Sequence, residues 1–69
     1  MVLIDSVAFR NILIDRQLNA KDLADMATIP TATVSHIAKF DKKVTFKTIG
    51  KICKALKIDP DTIIKSEKE

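Results

Sequence analysis

LNAKDLADMATIPTATVSHIAK, residues 18–39, reads as a helix, a tight turn and a second helix. Leu23, Ala24 and Ala27 put one face of the first helix inward, Ile29 fills the turn, and Val34 and Ile37 anchor the second helix from beneath. Left pointing outward from that second helix are Thr31, Ala32, Ser35, His36 and Lys39. The stretch therefore presents a short helix, held from one side, with a small and polar free face.

Outward from this stretch, one local pattern recurs along the chain. Five times an apolar residue precedes a helix starter, and a second apolar residue follows five positions after the first: Ile4/Phe9, Leu18/Leu23, Ile29/Val34, Val44/Ile49 and Ile58/Ile63. That is the spacing of a hydrophobic staple, in which the residue before the N-cap packs on the fourth helical residue. Asp5, Asn19, Pro30, Thr45 and Asp59 stand at the N-cap positions, and all but the proline offer an oxygen to the free amides of a first turn. Thr31 is a second candidate for the third cap. The pattern predicts five short helices, over 6–17, 20–27, 31–39, 46–57 and 60–66. Asp22 holds the capping-box position of the second, and FDKKV reads as a short basic loop after the third. In the fourth, Phe46, Ile49, Ile52, Cys53 and Leu56 share the apolar side and Lys47, Lys51 and Lys54 the other. Pro60 opens the fifth.

Sixty-nine residues suit one domain, near the lower size limit for folding without metals or disulfides. With no Trp, no Tyr and three Phe, the core must be aliphatic, and one Gly with two Pro favours helices over a strand-and-turn architecture. The expected class is all-α. The net charge of +3 is unevenly spread: residues 1–41 carry four Lys/Arg against five Asp, residues 42–69 eight Lys against four acids. A basic half of this kind suits phosphates, lipid headgroups or an acidic protein. A lone Cys53 allows neither an intrachain disulfide nor a zinc set, and its spacing makes it a buried, hydrophobe-like thiol. MVLID lacks the features of a signal peptide and no apolar run approaches a membrane span, so a cytoplasmic protein is expected. Acids sit at helix starts and a single His has no nucleophile or metal partner by spacing, which argues against an enzyme.

The free helix face fits the major groove of DNA, which admits one α-helix. The chain also resembles the Cro/repressor-type (XRE) helix-turn-helix family over roughly residues 9–64. LNAKDLADMATIPTATVSHI is similar to that family's leucine, polar cap, Leu-Ala, turn and reading helix, and VTFKTIGKICKALKIDPDTII to its short branch. The resemblance implies a lambda-repressor-like, all-α fold. Three positions depart from the family. Thr28 stands where a Gly is usual, which is costly at positive φ, so a differently built turn is expected. Ala20 replaces a Gln that would touch the DNA backbone. Leu13 and Ala38 replace an Arg–Glu pair between the first helix and the end of the reading helix, so apolar packing is expected in place of that polar link.

By position in the family, Thr31, Ala32, Ser35 and His36 form the base-reading set. Asn19, Lys21, Thr33, Lys39, Lys42, Lys43 and Lys47 are the phosphate-binding candidates, with Lys51 and Lys54 assigned to a solvated face. Arg on guanine and Asn or Gln on adenine are the strongest base contacts, and the reading helix has none of the three, so specificity per contact is modest. The expected function is sequence-specific binding of double-stranded DNA by a small transcriptional regulator or repressor. A homodimer on a two-fold site follows from family habit and the small surface of one domain. Val2, Leu3, Ile63 and Ile64 are candidates either for that dimer contact or for closing the core. The alternative is a protein-interaction module, antitoxin- or antirepressor-like, with little DNA affinity. No cofactor, metal, membrane or small-molecule ligand is expected.

Overall fold

In a computed structural model that describes residues 1–65, the chain runs β1 (Val2–Ile4), α1 (Ser6–Arg16), α2 (Ala20–Ala27), α3 (Thr31–Lys39), β2 (Lys42–Val44), α4 (Phe46–Leu56) and a 3-10 turn (Pro60–Thr62). Every element after β1, apart from β2, starts at the residue its sequence marks. The Asp5 carboxylate accepts the Val7 and Ala8 amides at 3.0 and 3.2 Å. Asn19 and Asp22 exchange backbone and side-chain bonds at 2.8 and 3.2 Å, a complete capping box. Thr45 accepts from the Thr48 amide at 3.2 Å. Pro30 and Asp59 occupy their N-cap positions without a side-chain bond.

The links between helices are equally local. Gln17, Thr28 and Lys57 end α1, α2 and α4 in the left-handed region, at φ of 58°, 59° and 58°. Each is followed by an apolar residue whose amide reaches back into the finished helix: Leu18 to Leu13 at 2.9 Å, Ile29 to Ala24 at 3.0 Å, Ile58 to Cys53 at 3.1 Å. This closes a helix C-terminus in the Schellman manner. The same Leu18, Ile29 and Ile58 are the leading members of the next staple. One apolar side chain thus serves both the end of one element and the start of the next. All ten staple residues lie in the core or pack against it.

Among the described residues, four α-helices and a 3-10 turn replace the five helices expected. Past Thr62 the chain turns back along β1 instead of continuing helically, with the Asp5 amide on the Ile63 carbonyl and the Lys65 amide on the Leu3 carbonyl, both at 2.8 Å. Ser66, the expected end of the fifth helix, lies outside the described residues. The basic loop is also corrected: Lys42–Val44 pairs antiparallel with β1 in the register Val2↔Val44, Leu3↔Lys43, Ile4↔Lys42. Ile4 bridges to Ile64 on the other side, so β1 is the middle of this closure. Helices α1 and α4 each stop one residue earlier than expected, because Gln17 and Lys57 are the left-handed caps.

Phe9, Ile4, Leu23, Ile37, Ile52, Leu56, Ile63 and Val34 are the largest fully buried side chains. Cys53 is buried among them as expected, and burial first, then the Asp59 charge, raises its thiol pKa. Of the four residues offered for a dimer contact, Ile63 is fully buried and Val2 and Ile64 pack on the core, which favours core closure. Phe46 corrects the apolar side drawn for α4: it is 71% exposed while Ile49, Ile52, Cys53 and Leu56 are buried. Helical side chains lean toward the N-terminus, so the first residue of α4 reaches past the helix start, where no element covers it.

Candidate nucleic-acid interface

Helix α3 sits across α1 and α2 with Val34 and Ile37 fully buried beneath it. At helical spacing those two anchors commit the opposite face to solvent. Thr31, Ala32, His36 and Lys39 are exposed, and Ser35 and Thr33 are half-buried at its flanks. Three of the four residues expected to read bases, Thr31, Ala32 and His36, therefore share one outward side, with Ser35 at its edge. Thr28, in the turn before α3, adopts the left-handed conformation after all, so the turn has the geometry for which a Gly is usual.

The far end of α3 is held by contacts that local spacing does not announce. Arg10 Nη1 donates to the Ala38 carbonyl at 2.6 Å. A cation on the C-terminal carbonyls of a helix also complements its dipole. Leu13 is buried and Ala38 packs against the core, the apolar packing expected there, and a different polar link joins the same two helices one turn earlier on α1, directed at backbone. Just beyond α3, Asp41 accepts the Ser6 amide at 2.9 Å on one oxygen and pairs with Lys65 Nζ at 2.6 Å on the other. The Lys65 bond first and the Ser6 amide second hold the Asp41 pKa down at about 2. Arg16 likewise donates to the Leu56 carbonyl at 2.5 Å, fastening the end of α1 to the end of α4.

The phosphate candidates fall into separate groups. Lys39 and Lys42 are exposed at the end of α3, and Lys42 lines one shallow concavity with His36, Phe40 and Asp41. Successive strand residues face opposite sides, so Lys43 projects away from the side that Lys42 and Val44 share. Lys47 is exposed in the first turn of α4, whose amide end attracts anions. Asn19 already spends its carbonyl oxygen on the α2 cap, and Lys21 pairs with Asp25 at 3.3 Å on the surface. Exposed pairs of that kind are worth little and exchange readily for a phosphate. Lys51 and Lys54 line a different groove, with Met26, Ala27, Thr28 and Ala55 between α2 and α4.

Sequence reasoning passed over Arg10, Asp41 and Phe40. Phe40 had a signal: it lies four residues after His36, on the continuation of the outer face. Among the described residues no three His, Cys, Asp or Glu side chains gather as a metal site, and no helix is long and apolar enough to cross a membrane.

Two helices joined by this turn, the second exposed along its outer side, constitute a helix-turn-helix. A family model described as Cro/C1-type HTH DNA-binding domain matches residues 8–69, and the chain belongs to that family. No curated protein matches it. Among solved structures, a hydroxyethylphosphonate dioxygenase mutant is similar over 96% of this chain, with a TM-score of 0.81 and 17% identity. The chain spans 14% of that protein's length, so the likeness is one of fold alone.

Proposed function

We propose that this chain is a transcriptional regulator that binds specific duplex DNA sites with α3 in the major groove. In this reading it works as one helix-turn-helix domain, in the cytoplasm, as a homodimer on a two-fold site, and without enzymatic activity. Thr31, Ala32, Ser35 and His36 contact base edges. Asn19, Lys21, Thr33, Lys39, Lys42, Lys43 and Lys47 contact phosphates. The observation that carries the reading is the pose of α3: Val34 and Ile37 are fully buried while Thr31, Ala32 and His36 are exposed above them.

Chemistry then divides the work. The lysines supply affinity that falls steeply with salt, and the small outer side chains of α3 set the site. Arg, Asn and Gln are missing from α3, so each base contact contributes modestly.

Anisotropy titration against a random duplex at two salt concentrations tests this. Binding that weakens as salt rises is expected, and Lys42→Ala with Lys43→Ala weakens it on every sequence and flattens the salt dependence. His36→Ala acts only on the site recovered by selection. Negligible binding at low salt would transfer the helix-turn-helix face to a protein partner.

A further inference from the structure

The outer stripe of α3 continues past the helix. Ala32, His36 and Phe40 are spaced by four, and the Phe40 amide still donates to the His36 carbonyl at 3.0 Å, which fixes its place on the helical path. Its own backbone is extended, at φ −136° and ψ 145°, and turns the chain toward Asp41. Asp41 is clamped to Ser6 and Lys65, and Lys42 enters the ladder with β1, so the two residues that follow Phe40 are tied down. The phenyl group is nonetheless 68% exposed. Burying a Phe stabilises a small domain, so leaving one on a rigid frame forgoes that gain. Its neighbours in the concavity are His36 from the reading face and Lys42 from the phosphate-binding set, with Asp41 engaged elsewhere.

The edges of bases in the major groove carry donors, acceptors and one apolar group, the thymine methyl. A phenyl ring can make no hydrogen bond to the first two. We propose that Phe40 is a base-reading residue that packs on a thymine methyl at the edge of the footprint, while Lys39 and Lys42 hold the flanking phosphates. This rests on the DNA-binding reading above.

The test compares wild type and Phe40→Ala on a duplex recovered by selection from a random pool, and on the same duplex with deoxyuridine in place of thymidine. That exchange removes only the methyl. Wild type should prefer the thymine duplex, and Phe40→Ala should shrink the preference by roughly fourfold, the worth of one buried methyl. The slope of log affinity against log salt should not change, because no phosphate contact is lost. Phe40→Leu should keep part of the preference. Because the chain has no Trp or Tyr, Phe40→Trp makes the one indole, and its emission should shift on binding DNA.

An unchanged thymine-to-uracil ratio in Phe40→Ala, beside a wild type that binds with the expected salt dependence, overturns the inference and leaves the DNA reading standing. Dissociation of a dimer with that ratio unchanged also overturns it and assigns the ring to a contact between copies. Absence of duplex binding by the wild type removes both.

Discussion

The helix pair α2–α3 and the frame around it are built from contacts of different range. Within the pair, Asn19 bonds Asp22, Ile29 reaches back to Ala24, and Ile29 staples Val34. The frame joins Ser6 to Asp41, Arg10 to Ala38, Arg16 to Leu56 and Lys65 to Asp41, across 35, 28, 40 and 24 residues. The pair has its geometry from neighbours. The frame orients it, through the shared apolar core and through hydrogen bonds to backbone, carbonyls and one carboxylate at the surface. The difference teaches that the exposed helix is shaped locally but aimed globally.

Removing the apolar floor of the pair should have the largest effect. Leu23 is fully buried under α2, so Leu23→Ala should cost about 2–5 kcal/mol and leave little folded protein in a domain this small. Thermal melting followed by circular dichroism checks it; a melt near that of wild type would mean that the frame, not the pair, holds the fold. A smaller change of opposite sign is expected at the turn. Thr28→Gly relieves a β-branched residue at φ 59° and should stabilise by about 1 kcal/mol, raising the urea midpoint at unchanged slope. A lowered midpoint would show that the Thr28 side chain contributes more than its strain costs.

The frame supplies the smallest effect. Asp41 has a pKa held near 2 against an ordinary 3.8. A depressed acid stabilises the fold above its ordinary value, and that contribution is lost as pH falls toward the folded-state value. The difference in stability between wild type and Asp41→Asn should therefore be constant near neutral pH and shrink from about pH 4 to about pH 2. Since both partners are substantially exposed, high salt should shrink it too. A difference that persists at the acid end would assign the role of Asp41 to shape and not to charge.

Much of the fold was legible because its signals are short. Each cap and each staple lies within a few residues, and a chain that pairs neighbours loses little entropy in doing so. The same signals failed at Pro60. The proline and Asp61 do start a turn, on which the Ile63 and Ile64 amides close at the Pro60 carbonyl, but the Ile63 carbonyl and the Lys65 amide bond to β1 and end it. Phe46 failed for a related reason: period alone puts it inside, and only the arrangement of neighbours leaves it uncovered. In the interface, the outward side of α3 followed from Val34 and Ile37. That Lys42 and Lys43 diverge did not, because it depends on FDKKV being a strand.

The amino-acid order alone determined where α1 to α4 begin, which residues of α2 and α3 turn inward, and that α3 shows Thr31, Ala32 and His36 to solvent. Each of those follows from spacing and from caps that act within one turn. Tertiary structure decided the closure of β1 by β2 and the segment after Thr62, the clamp of Asp41, the grip of Arg10 on α3 and the display of Phe40. Those need partners distant in sequence, and no local period encodes which distant group a side chain or strand edge will meet.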